Sequence, residues 1–299
     1  MKRAVSISIG TSKRDKAVEI ELLGERVRIE RIGTDGDMQA AARMFTELDG
    51  KVDAFGVGGA DLGLLVDDKW YRLHSVESLI RDVHKTPVVD GAGLKNTLEA
   101  GVAQFIQARI PEAVPVRRAF LTGGADRWGM TTSFLKAGYE CVFGDLMFGL
   151  GLPIPIRSAR AVKRLAALLM PVVGRLPFAW VYPIGEKQEK RVPKWETYYA
   201  WASVIGGDTH YVKRHMPDRL EGKVITVNTT TQEDVELLRN AGVSYLVTST
   251  PRLEGRSFGT NMMEAALVAV AGKGRPLTHL ELSEMLALLK MEPQLQRLN

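Results

Sequence analysis

Apolar and polar residues alternate with two different periods in the first part of the chain, and each period predicts a different element. Strict alternation predicts strands over Ala4–Ile9, Ala17–Leu23 and Arg26–Ile32. A short glycine turn separates the last two runs, which indicates a β-hairpin. Met38–Leu48 has the pattern of a helix, and Asp37 precedes it as a capping residue. This region therefore mixes strands with helices.

The rest of the chain alternates regularly between apolar runs and amphipathic stretches. After a long helix over Asn96–Ala108, the predicted strands are Val116–Leu121, Glu140–Phe143, Phe178–Tyr182, Lys223–Val227 and Val243–Val247. The predicted helices are Met130–Ala137, Ser158–Met170 (stopped by Pro171), Trp195–Val204, Glu233–Ala241, Thr260–Ala271 and Leu280–Lys290. This alternation predicts an α/β fold with a Rossmann-like, doubly wound, mostly parallel sheet. Prolines within 110–115 mark a boundary. We therefore predict a substrate domain (1–112 plus 259–299) and a dinucleotide-binding domain (113–258).

The composition is that of an ordinary globular protein of 299 residues with 45% hydrophobic and 25% charged residues. No apolar run reaches the roughly 18–20 residues that a membrane span needs. The single cysteine, Cys141, allows no internal disulfide, so we predict a cytoplasmic protein without a membrane partner. The net charge of +5 is spread along the chain and fits a small anionic substrate better than nucleic acid. The oligomeric state stays open.

An eight-residue string occurs twice, as AFGVGGAD at Ala54–Asp61 and as AFLTGGAD at Ala119–Asp126. In each copy a predicted strand ends in two glycines and an aspartate. Such a turn brings backbone close to a ligand at the carboxyl end of a strand, and Asp61 becomes a candidate substrate-binding acid. The alternative is that both copies are only tight turns in which glycine supplies a positive φ.

The second copy opens a stretch that matches a dinucleotide-binding unit in its layout. Three glycines follow the strand and precede a helix: Gly123, Gly124 and Gly129. Asp145 ends the next strand 22 positions after Gly123, where an acidic residue binds the ribose and favours NAD over NADP. The glycine spacing departs from the usual fingerprint, and Asp126 brings a negative charge into the loop. Arg127 is placed to offset that charge.

Small hydroxylated residues follow two predicted strands nearer the end of the chain. Thr248 and Thr250 stand at one strand end, where they are candidates to line a cofactor crevice. A similar run, 229–231, follows the preceding strand, and it equally fits a cap for the helix that begins near Glu233.

The segment Phe258–Gly272 is similar to the C-terminal helix of the quinate/shikimate dehydrogenase family, and the strand end Thr248–Pro251 also resembles that family. The length and the order of domains are similar too. The resemblance implies hydride transfer between NAD and a polyhydroxylated cyclic acid, with a catalytic lysine and aspartate. The string at Asp90–Leu98 resembles the aspartate motif only in part, because Leu98 stands where the aspartate is expected.

Such an oxidation needs a base, and the chemistry of the side chains indicates candidate residues without reference to the family. Lys95 and Asp90 flank a glycine turn that opens a helix, with Asn96 beside them, and a desolvated lysine held by an aspartate can act as a base. The alternative is a capping Asp90 and a solvated Lys95. His210 is a candidate substrate ligand or a solvated helix-end residue. No His or Cys spacing predicts a metal site. A transferase-like enzyme or a non-catalytic binding protein for a nucleotide or phosphorylated metabolite remains open.

Overall fold

The computed structural model describes residues 1–181, 191–250, 252–253 and 256–299. The strands are β1 (Lys2–Ser8), β2 (Lys16–Leu22), β3 (Glu25–Gly33), β4 (Ala54–Gly58), β5 (Gly63–Val66), β6 (Lys69–Arg72), β7 (Val88–Val89), β8 (Arg118–Leu121), β9 (Glu140–Phe143), β10 (Val204–Gly207), β11 (Val224–Val227), β12 (Tyr245–Thr248), β13 (Arg252–Leu253), β14 (Arg256–Ser257) and β15 (Gln294–Arg297). The helices are α1 (Met38–Leu48), α2 (His74–Glu77), α3 (Ala92–Glu99), α4 (Val102–Arg109), α5 (Trp128–Lys136), α6 (Asp145–Leu150), α7 (Ala159–Val173), α8 (Phe178–Val181), α9 (Glu196–Trp201), α10 (Thr209–His215), α11 (Gln232–Asn240), α12 (Thr260–Ala271) and α13 (His279–Leu288).

The first sheet has the strand order β2-β3-β1-β4-β7, and only the β2–β3 pair is antiparallel. The predicted hairpin is confirmed as this pair. Leu23 and Gly24 form its two-residue turn with φ of 53° and 82°, and two positive φ angles match the right-handed twist of the strands. The predicted helix Met38–Leu48 is confirmed, with the Asp37 side chain accepting a hydrogen bond from Ala40 N.

The second sheet has the order β9-β8-β10-β11-β12-β15, in which the first five strands are parallel and β15 is antiparallel. The predicted Rossmann-like, mostly parallel α/β class is therefore confirmed. The chain enters at β8, moves outward to β9 and then returns to β10 on the other side. Ligands of open α/β sheets bind at this kind of reversal, at the carboxyl ends of the strands.

The chain crosses between the two sheets more often than the predicted domain bounds allow. Helix α12 has the predicted bounds Thr260–Ala271 and packs on β1, β3 and β4 of the first sheet. Residues 262–269 are all buried, because apart from Glu264 their side chains are small or apolar on every face of the helix. The last strand, β15, then pairs with β12 in the second sheet, although residues 259–299 were assigned to the first domain.

Several predicted elements differ in the structure. Trp195–Val204 was predicted as one helix, but α9 ends at Trp201 and Val204 begins strand β10. Phe178–Tyr182, predicted as a strand, begins with helix α8. Asn96–Ala108 is divided between α3 and α4, with a break at Ala100 and Gly101.

Helix α7 continues past the proline that was expected to stop it. Pro171 lies inside the last turn of α7 and is exposed, so the helix loses one backbone hydrogen bond there and extends to Val173. The charged stretch Gly185–Pro193, which its sequence predicts to be a loop, lies mostly outside the described residues. Over the part of the chain that the structure describes, helices are too short or too polar to cross a membrane.

Candidate functional site

The two copies of the repeated string end at facing edges of the two sheets. Asp61 follows β4 in the first sheet, and Asp126 follows β8 in the second. Lys95 of α3 lies between them, and its Nζ is 3.5 Å from Asp61 Oδ1 and 2.9 Å from Asp126 Oδ1. The lysine side chain is 9% exposed, whereas the Asp61 and Asp126 side chains are 26% and 33% exposed. Solvent and ligands therefore reach the two carboxylates of this ion-pair group.

Helix α3 holds Lys95 in place through contacts at its first turn. Gly91 precedes the helix with φ of 94°, and a methyl group there would lie 2.6 Å from Asn261 N of α12. Glu264 of α12 accepts a hydrogen bond from Leu94 N at 3.0 Å, which satisfies one free amide at the start of α3. Burial raises the pKa of Glu264 to about 8.

Asp90 connects two strand ends and has no ion pair with Lys95. Its carboxylate accepts hydrogen bonds from Leu62 N at 2.6 Å and from Ala92 N at 2.9 Å. The first bond holds the loop that carries Asp61, and the second caps α3. The structure therefore pairs Lys95 with Asp61 and Asp126, and Asp90 instead accepts a hydrogen bond from the first amide of α3, next to the N-cap residue Gly91.

Arg127 forms a second buried ion-pair group behind Lys95. It contacts Glu99 of α3, Asp208 Oδ2 at 3.1 Å and Asp126 Oδ2 at 3.4 Å. The side chains of Arg127 and Glu99 are 4% and 1% exposed. Burial alone would lower the pKa of Arg127, but attraction to Glu99, Asp126 and Asp208 outweighs it and raises that pKa. The contact fixes α3 against the second sheet.

We call these seven residues the charged cluster: Asp61, Asp90, Lys95, Glu99, Asp126, Arg127 and Asp208. Burial raises the pKa of Asp61 to about 6; Lys95 opposes this rise, while Asp126 and Asp90 add to it. Burial would lower the pKa of Lys95, but attraction to Asp126 and Asp61 outweighs burial and raises that pKa. Near neutral pH the cluster thus combines a carboxylate able to accept a proton with a permanently charged ammonium donor.

Two of the predicted site residues instead join helices. Gly129 N donates to Asn96 Oδ1 at 2.9 Å, and Asn96 Nδ2 donates to Ala92 O at 2.9 Å. A methyl group at Gly129 would lie only 2.3 Å from Asn96 O. Gly129 is therefore needed where α5 approaches α3, and both polar groups of Asn96 already have partners.

The glycine turn after β8 was predicted to hold the pyrophosphate of NAD, and its amides already have a partner. Gly124 N and Ala125 N donate to the two carboxylate oxygens of Asp145 at 2.9 and 2.8 Å. Burial raises the pKa of Asp145, and the two amide donors oppose that rise. A pyrophosphate needs free amides at this position, so these residues do not fit NAD in the predicted manner.

Three other predicted site residues lie outside the charged cluster: His210, Thr248 and Thr250. Helix α10 starts after Asp208, whose side chain accepts from His210 N at 2.9 Å. His210 is exposed. Thr250 is buried and follows β12, of which Thr248 is the last residue. Neither threonine side chain has a contact that joins it to the charged cluster within the described residues.

Sequence reasoning did not assign three members of the cluster to the site: it treated Asp126 only as a negative charge in the glycine loop, and it did not assign Asp208 or Glu99. Asp208 follows Gly206 and Gly207 at the end of β10, so it repeats the arrangement of strand, paired glycine and aspartate a third time. That spacing was visible in the sequence once Val204 was read as the start of a strand. Glu99 had no local signal, because its partner Arg127 lies 28 positions further along the chain.

Comparison with known proteins places the chain in a family. A family model described as "Domain of unknown function (DUF8754)" matches residues 93–298. The chain belongs to this family. A second model, "Domain of unknown function (DUF8753)", matches residues 3–90, so the two matches meet beside Asp90, the residue that links β4 to α3. No curated protein sequence matches the chain.

Solved structures give only distant similarity. A putative malic enzyme (malate oxidoreductase) is 13% identical, with 87% of this chain and 66% of that chain covered and a TM-score of 0.39. GanP, a glucose-galactose binding protein from Geobacillus stearothermophilus, is 12% identical, with 99% and 97% covered and a TM-score of 0.39. Similarity at this level does not assign a function. Within the described residues, no group of three or more His, Cys, Asp or Glu side chains is arranged to hold a metal ion.

Proposed function

We propose that the charged cluster is the active site of an enzyme that oxidises a small polyhydroxylated molecule: it removes a hydroxyl proton while the hydride on the same carbon passes to a separate hydride-accepting substrate. The observation that carries this proposal is the convergence of Asp61 and Asp126 on Lys95. These residues stand at the carboxyl ends of strands in two facing sheets, which is where α/β proteins bind small molecules.

Each member of the ion-pair group has a distinct chemical part in this proposal. Asp61 accepts the hydroxyl proton, since its pKa of about 6 makes it largely ionised and moderately basic at neutral pH. Lys95 stays protonated and stabilises the negative charge that develops on the substrate oxygen. Asp126, whose pKa is lowered because Lys95 and Arg127 outweigh the effect of burial, stays ionised and holds Lys95 in position.

The charge of the cluster favours a neutral ligand over the anionic substrate predicted from the net charge of the chain. At the accessible edge of the cluster, the partly exposed carboxylates of Asp61 and Asp126 share one buried ammonium, that of Lys95, and this excess of negative charge repels phosphates and carboxylates. Carboxylate oxygens accept hydrogen bonds, so they suit the hydroxyl donors of sugars and cyclitols.

A second candidate is the NAD-dependent oxidation of a quinate- or shikimate-like acid that the family resemblance implies. The buried pairing of Lys95 with an aspartate favours it, because that family uses a lysine and an aspartate. The contacts of Asp145 with the glycine turn count against it.

Thermal-shift measurements on the purified protein separate these candidates. The panel contains neutral sugars and cyclitols, quinate, shikimate and NAD, each tested on wild type, Asp61→Asn and the control Asp68→Asn. Asp68 lies in the exposed turn between β5 and β6. We expect neutral polyols to raise the melting temperature of wild type and control, with a smaller rise in Asp61→Asn.

Turnover of the best ligand in the presence of a soluble hydride acceptor, followed by proton NMR, then tests catalysis. Loss of a general base lowers the rate by about 10²–10⁴-fold, so Asp61→Asn should be nearly inactive while Asp68→Asn keeps full activity. If NAD and either quinate or shikimate stabilise the protein and the neutral polyols do not, the result would instead support the second candidate. Ligand effects that are equal in all three proteins would contradict the first candidate, in which Asp61 is the base.

A further inference from the structure

The turn between β8 and α5 encloses a carboxylate from the neighbouring strand. Asp145 directly follows the end of β9 and Gly144, and its two oxygens accept from the consecutive amides of Gly124 and Ala125. Both donor–acceptor distances, 2.9 and 2.8 Å, are those of good hydrogen bonds. Two adjacent amides that point at one anion are the arrangement by which such turns hold phosphate.

The residues of the turn pack closely against that carboxylate and the strand that carries it. A methyl group at Gly124 would lie 2.9 Å from the Phe143 ring and 3.1 Å from Asp145 Oδ2. Glycine is therefore required at 124 for the approach of this strand end, without any cofactor. The opposite side of the turn is fixed as well, because Thr131 Oγ1 donates to Gly124 O at 2.9 Å.

We propose that Asp145 is a built-in anion that occupies the phosphate position of this turn and excludes nicotinamide dinucleotides from it. The spacing that predicts a ribose-binding acid also places the Asp145 carboxylate at the end of the neighbouring strand. From there it accepts hydrogen bonds directly from the turn amides. With the turn amides already bound to Asp145, the second sheet still contributes Asp126 and Asp208 to the charged cluster without a dinucleotide bound at the turn. This inference depends on the hydrogen bonds of the turn and does not require the proposed activity.

The test follows the amides of Gly124 and Ala125 by NMR while NAD, and separately inorganic phosphate, is added. Wild type, Asp145→Ser and Asp145→Asn are compared with Asp68→Ser, which removes a carboxylate from an exposed turn. In wild type and in the control, neither probe should shift the two amides at millimolar concentration. In Asp145→Ser the amides should shift with both probes, with at least a tenfold gain in phosphate affinity over wild type.

Two results would overturn the proposal. The first is a shift of these amides by NAD in wild type together with its loss in Asp145→Ser, which would make Asp145 a ribose ligand. The second is a folded Asp145→Ser protein, as judged by circular dichroism, whose amides respond to neither probe. If the serine variant does not fold, the same titrations of Asp145→Asn provide the test. Asparagine keeps the size of the side chain, but its amide group repels one of the two backbone N–H donors.

Discussion

The ammonium nitrogen of Lys95 lies 2.9 Å from Asp126 Oδ1. This pair joins helix α3, which lies at the start of the family match over residues 93–298, to the edge of the second sheet. A buried lysine with no partner is costly, so Lys95 and Asp126 depend on each other. Asp61 approaches the same nitrogen from the first sheet.

Replacement of Lys95 by methionine should destabilise the fold and abolish ligand binding. Without the ammonium, Asp61 and Asp126 repel each other, and we expect a loss of about 3 kcal/mol in the free energy of unfolding, the lower end for a broken buried pair. Urea denaturation measures it. The double variant Lys95→Met/Asp126→Asn should recover part of that stability, and no recovery would show that the pair does not interact.

Two glycines of the predicted cofactor loop should respond differently to alanine. A methyl group at Gly129 meets Asn96 O at 2.3 Å, whereas at Gly123 its nearest contact is Asp126 Cβ at 3.7 Å. We expect Gly129→Ala to lose about 1–3 kcal/mol through overpacking and Gly123→Ala to change stability little. Thermal unfolding of both variants provides the comparison. Equal losses would contradict the helix-packing role of Gly129.

Glu264 should make stability fall as the pH rises from about 4.5, its ordinary pKa, to about 8. Its pKa in the folded protein is raised to about 8 by burial, above the ordinary value, so the folded state holds the proton more tightly than the unfolded state. Stability from this group is therefore complete at acidic pH and is lost as the pH rises toward 8. Melting temperatures from pH 5 to 9 should fall in wild type and fall less in Glu264→Gln.

Arg127 should tolerate neither removal nor replacement by lysine. Its guanidinium contacts Glu99 and Asp208 at once, and Glu99 is almost fully buried. Arg127→Met leaves an unpaired buried carboxylate and should cost about 3–5 kcal/mol. Arg127→Lys should recover only part of this, since one ammonium cannot bridge the two acids as a planar fork does. Full recovery by lysine would refute that geometry.

Local patterns predicted the parts of the fold that local chemistry determines. The hairpin and the capped helix that follows it had visible signals, and the repeat identified Asp61. Strand β10 was missed, because the aromatic residues before Val204 continue a helical pattern up to the strand.

The internal contacts of the site could not be predicted, because they depend on packing between distant segments. The Arg127–Glu99 pair joins residues 28 positions apart, and the bonds from Gly124 and Ala125 to Asp145 join neighbouring strands. The spacing correctly predicted that Asp145 follows a strand, but it could not indicate which groups its carboxylate contacts.

The most direct test of the central claim is the pH dependence of turnover for the best ligand of the panel, in wild type and Asp61→Asn. Because Asp61 must be ionised to accept a proton, the kcat/KM of wild type should rise with pH and level off above an apparent pKa near 6. Asp61→Asn should be far slower and lack this rise. An unchanged profile in Asp61→Asn would contradict the assignment of Asp61 as the base.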